Sequence, residues 1–126
     1  ALAVRYCLER RMQPLWPQGS AARTPWTEND SEIIGIYFAD QLSKGMVLQE
    51  VLEASLTDFD GSFSYLVSTP DSISFAKDPF AFKPLLFTET DDFVAIATEE
   101  IAIRSVFSGS YTVRESQSKE IHIWQK

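Results

Sequence analysis

At Gly61 the spacing of apolar residues changes period, and that change limits the folds open to this chain. Before it, Ile33, Ile34, Tyr37, Phe38 and Leu42 recur at helical spacing and stop at Gly45. Leu48, Val51, Leu52, Ser55 and Leu56 repeat the pattern over about 47–58. Gln49, Glu50 and Glu53 fall on the other side of this second segment, as a solvated helix face requires. The spacing predicts helices near 30–44 and 46–58.

After Gly61 apolar and polar residues alternate. FSYLVS and ISFAK read as two strands joined by TPDS at 69–72, where Pro70 presets the turn. PLLFTE and DFVAIAT read as a second hairpin turning at Thr90 and Asp91. A short helix is predicted over 99–106, ending near Gly109, and two strands follow in YTVRE and EIHIW. Hairpins with the helices grouped apart indicate α+β, a layered antiparallel sheet with helices. PLLF and FVAIA are apolar on both sides, which predicts a sheet covered on both faces.

Residues 1–26 differ from the rest. ALAVRYCLERR reads as a short helix with Leu2, Cys7 and Leu8 on its apolar side. MQPLWPQGSAARTPW, with three prolines, reads as an extended arm packed down by Trp16 and Trp26. The domain proper is then 27–126. At 126 residues the chain is long enough for one domain with its own core. A net charge of −7 disfavours nucleic acid and anionic membrane surfaces as partners. No apolar run approaches the roughly 20 residues that span a bilayer. The single cysteine excludes an internal disulfide, so a reducing cytoplasm is expected.

The order of NDSEIIGIYFADQL, FDGSFSYLVSTPDSISFAKDPFAFKPLLF and VAIATEE resembles the N-terminal-nucleophile (class II) glutamine amidotransferase domain. That domain occurs in amidophosphoribosyltransferase, asparagine synthetase and glutamate synthase. The nearest likeness is to the stand-alone amidotransferase subunit of glutamate-synthase-like enzymes. The likeness covers about 27–107 and corresponds to the second half of the family's domain, so the N-terminal-nucleophile hydrolase sandwich is expected in part. Lys77 stands where the family usually has arginine, Ala81 where it has glycine and Thr98 where it has serine. An alanine at 81 is expected to take a negative φ. The family attacks glutamine with an N-terminal cysteine whose own amine is the base. Here position 1 is Ala1, and Cys7 precedes Leu8 instead of glycine.

The resemblance implies one substrate-binding residue, Asp30, whose carboxylate would accept the α-ammonium of glutamine. Read without it, TENDSEII is a helix start, with Asn29 as cap, Glu32 closing a capping box and Asp30 favoured by the helix dipole at roughly 0.3–1 kcal/mol. The two roles are compatible. Lys77, Asp78 and Lys83 are read as an internal salt bridge pinning a crossing loop, with the rim of a glutamine pocket as the functional alternative. Glu99 and Glu100 start a helix. His122 alternates with Ile121 and Ile123 and has no companion ligand, so no metal is expected, and no glycine loop or serine elbow suggests a cofactor.

The implied role is part of a glutaminase domain that supplies ammonia to a synthase partner, with nucleophile, base and oxyanion hole from elsewhere. The alternative is a non-catalytic binding or regulatory module. A half domain is expected to expose a strand edge or apolar patch, with Phe63, Tyr65, Phe87 and Phe93 as candidates for that surface or the core beneath it. Homo-oligomerisation, most simply a two-fold dimer, would cover it.

Overall fold

The computed structural model describes residues 30–125, with side chains from Ile33 onward. The expected arm over 1–26, with Cys7, Trp16 and Trp26, lies outside the described residues, as does the Asn29 cap. The chain divides into two compact units, Ala1–Phe63 and Ser64–Lys126, taken here in turn.

In the first unit, α1 spans Asp30–Ser43 and α2 spans Leu48–Asp58, as the helical periodicity predicts. Gly45 ends α1 with a φ of +92°, and the Gly45 and Met46 amides donate to Leu42 O and Gln41 O at 3.0 and 3.3 Å. This satisfies carbonyls that the helix end would otherwise leave unpaired. Val47 has no side-chain acceptor with which to cap α2. Instead the Glu50 carboxylate accepts its amide at 3.0 Å. Val51, Leu52 and Ser55 are buried, while Gln49, Glu50 and Glu53 face water. The aromatic part of the core runs from Tyr37 to Phe59 (centroids 4.8 Å apart) and on to Phe63 (5.7 Å), each pair edge to face.

The second unit holds β1 (Ser64–Ser68), β2 (Ser72–Lys77), β3 (Leu86–Glu89), β4 (Val94–Ala97), α3 (Glu100–Val106), β5 (Arg114–Glu115) and β6 (Ile121–Gln125). They form two three-stranded sheets, ordered β1-β2-β6 and β4-β3-β5, with every pairing antiparallel. The α+β class and both expected hairpins are therefore present. The last two strands do not pair with each other: β5 joins β3, and β6 joins β2.

Of the predicted strand YTVRE only its last two residues pair. Side chains hold the rest. The Tyr111 hydroxyl donates to Phe107 O at 2.7 Å just past α3, and Thr112 O accepts the buried Thr88 hydroxyl at 2.8 Å. Pro84 has no amide to donate, and Leu85 O is taken by both the amide and the hydroxyl of Ser116, each at 2.8 Å, so β3 begins only at Leu86.

Phe75 of β2 and Phe87 of β3 are both fully buried and meet at 5.2 Å, joining the two sheets. Trp124 lies 5.8 Å from the first ring and 5.7 Å from the second. Burying rings of this size contributes about 1.5–3 kcal/mol each. Phe63 and Phe87 thus belong to the core, and Tyr65 and Phe93 are half-buried. The exposed aromatics among the described residues are two others, Phe80 and Phe82.

Candidate functional site

Asp30 is the first residue of α1. The backbone thus places it in the first turn, where an anion is favoured by the unpaired amides of the helix start. Its side chain lies outside the described residues.

The crossing segment over 77–84 leaves β2 and returns toward β3. Among the described residues no ion pair joins Asp78 to Lys77 or Lys83, the pairing expected from sequence. Asp78 is fully buried, and its Oδ1 accepts the backbone amides of Phe80 at 2.7 Å and Ala81 at 2.9 Å. Neighbouring residues in extended chain point to opposite faces, so Lys77 cannot follow Asp78 into this turn. Lys77 is also fully buried, and among the described residues its Nζ meets no hydrogen-bond partner.

The turn overrules a second expectation. Ala81 has a φ of +53°, in the left-handed region that glycine tolerates and alanine does not favour. The two amides converging on one carboxylate oxygen hold the backbone there. The turn between β5 and β6 braces it from outside: the Ser118 hydroxyl donates to Pro79 O at 2.6 Å, and the Lys119 amide to Asp78 O at 3.3 Å.

His122 does lie on the strand face opposite Ile121 and Ile123. It stacks on Trp124 at 5.1 Å and lies 4.7 Å from Phe87, with Nε2 2.7 Å from a carboxylate oxygen of Glu120. Arg114 covers Phe87 at 4.6 Å. This is an aromatic box with a polar rim, and among the described residues no group of His, Cys, Asp or Glu could hold a metal. Glu99 precedes α3 as its cap residue, without a side-chain cap bond, and Glu100 pairs with Arg104 at 2.6 Å, one helical turn on.

Sequence reasoning missed two features. The Phe80–Phe82 pair lies in a segment read only for its charges, and stacking of two loop rings leaves no periodic signal. The Tyr37–Asp58 hydrogen bond, at 2.6 Å, joins two residues whose separation carries no local signal.

No family model matches the chain. Individual proteins do. It is 39% identical over 99 residues to a protein of Methanothermobacter thermautotrophicus provisionally named a glutamine amidotransferase, an alignment covering 79% of this chain and 32% of that protein. It is 31% identical over 99 residues to the glutamine amidotransferase-like protein GlxB of Rhizobium meliloti, covering 78% and 33%. Over these residues the chain is similar to glutamine amidotransferases. An amidophosphoribosyltransferase of Synechocystis is similar as well, 30% identical over 101 residues, which are 77% of this chain and 20% of that enzyme. The chain spans about a third of the length of the first two relatives. Among its described residues no helix is long and apolar enough to cross a membrane.

Proposed function

We propose that the chain forms the second half of an N-terminal-nucleophile (class II) glutaminase domain, of the glutamate-synthase-like kind, which releases ammonia from glutamine for a synthase partner. The observation that carries this reading is the 99-residue match, at 39% identity, to a protein named for glutamine amidotransfer. In it, Asp30 accepts the α-ammonium of glutamine. An ionised carboxylate makes a strong, charge-assisted bond to an ammonium. The sheets and helices of this chain supply the scaffold. The only cysteine, Cys7, lacks the glycine that follows the family's nucleophile, so nucleophile, amine base and oxyanion hole come from elsewhere in a working enzyme.

Calorimetric titration with glutamine tests the reading, using the full chain complemented by the first half of an amidotransferase domain from a relative. Asp30→Asn is expected to weaken binding by about 1.5–3 kcal/mol, or roughly tenfold to a hundredfold. Unchanged affinity would leave Asp30 as a helix-start residue only. The chain alone is expected to release no glutamate. Release that Cys7→Ser abolishes would instead make Cys7 the nucleophile. A complemented domain that binds glutamine without hydrolysing it would be a binding or regulatory module.

A further inference from the structure

The second unit carries two exposed apolar surfaces bordered by charges of opposite sign. The first is the tip of the crossing turn. Phe80 and Phe82 are 55% and 78% exposed, and their rings stack almost parallel, 5.7 Å apart and tilted by 8°. Single exposed apolar residues are ordinary on protein surfaces, but an adjoining pair of rings is not. The backbone beneath them is fixed by Asp78 and held at Ala81 in a conformation that alanine disfavours. Such strain persists only where the surroundings impose it, and it is common at binding surfaces. Lys83 follows Phe82 directly, and exposed Lys119 is bonded through its amide to Asp78 O, so the rim of this knob is basic in a chain of net charge −7.

The second surface is the outward side of α3. Ile101, Ala102, Ser105 and Val106 are all exposed, the two large ones by 73% and 72%. Residues 101 and 105, and likewise 102 and 106, are neighbours four apart on the helix, so the four form one patch. The small Ala102 and Ser105 lie between Ile101 and Val106 on the helix. Exposed Glu99 and Glu100 border it, the second shared with Arg104. A solvated helix face would be polar here.

We propose that the Phe80–Phe82 knob of one copy docks on the α3 face of a second copy, with Lys83 and Lys119 meeting Glu99 and Glu100. The occupant is another copy of this chain because both complementary halves, aromatic with basic rim and aliphatic with acidic rim, are present on one molecule. Knob against knob would oppose lysine to lysine. The contact is head to tail, unlike the two-fold dimer expected from sequence, so it repeats or closes into a ring.

Sedimentation velocity of the full chain across a dilution series tests this. The wild type is expected to form species larger than dimers, less so as salt is raised. Phe80→Ser with Phe82→Ser, or Ile101→Ser with Val106→Ser, is expected to weaken association roughly thirtyfold, the loss typical of a central interface anchor. Both pairs are on the surface, and circular dichroism checks their folding. An equimolar mixture of the two variants retains one intact knob and one intact face, and is expected to give heterodimers and nothing larger. A monomeric wild type overturns the proposal. So does association that survives either double substitution, or a mixture that stays monomeric.

Discussion

Asp78 and Ala81 are bound to each other: a carboxylate oxygen of Asp78 accepts the Ala81 amide at 2.9 Å while Ala81 holds a φ of +53°. Ala81→Gly relieves a left-handed strain of about 1–2 kcal/mol and adds freedom to the unfolded chain. The expected result in urea denaturation is a net stabilisation of about 0.5–1 kcal/mol. Asp78→Ala strands two amides and is expected to destabilise by about 2–3 kcal/mol. Because the residues share one turn, the double variant should depart from additivity, and an additive result would mean that Asp78 does not impose the strain.

Lys77 carries a fully buried ammonium without a hydrogen-bond partner among the described residues. Burying such a group costs several kcal/mol, which its methylene stem offsets only in part. Lys77→Met keeps the stem and removes the charge. It is expected to raise stability by about 1–3 kcal/mol in the same denaturation experiment. A loss of more than about 1 kcal/mol would show that the charge has a partner.

In the first unit, the Tyr37 hydroxyl donates to the Asp58 carboxylate at 2.6 Å and thereby links α1 to the end of α2. A bond to a charged acceptor is worth about 1.5–3 kcal/mol when buried, and less here because Asp58 is partly solvated. Tyr37→Phe preserves the ring against Phe59 and is expected to cost about 1 kcal/mol in thermal unfolding. Tyr37→Ala also removes the ring and should cost about 3–5 kcal/mol.

Gly45 separates backbone from packing effects. A Cβ there would meet nothing within 4 Å, yet φ is +92°. Gly45→Ala is therefore expected to destabilise by about 1–2 kcal/mol through conformation alone. Replacement by a D-alanine residue, made by chemical ligation, should not carry that cost.

The elements were legible where side-chain period reflects burial. The helices over 30–43 and 48–58 and the four strands of the hairpins follow from apolar spacing, because each has one face against a core. The partners of β5 and β6 were not legible. A two-residue strand carries no period, and strand pairing across the sequence leaves no local trace. The charged segment at 77–83 misled for another reason. Opposite charges in sequence suggest ion pairs, whereas adjacent side chains in extended backbone diverge, and Asp78 accepts the amides of Phe80 and Ala81. Asp30 was legible as a helix start from its own segment, and its assignment to glutamine came only from family resemblance.

The division of β5 and β6 between sheets also bears on the order in which the chain is made. Once β1 and β2 have left the ribosome they can close on each other, but β2 keeps one open side until residues 121–125 follow, long afterwards. In that interval β3 and β4 pair with each other while Phe75 still lacks Trp124 and His122. A nascent chain at this stage presents a free strand beside uncovered aromatic rings, the combination that chaperones recognise and that invites aggregation. The joint from 116 to 120 is thus the point at which synthesis passes from a chain in need of protection to one that closes its own sheets.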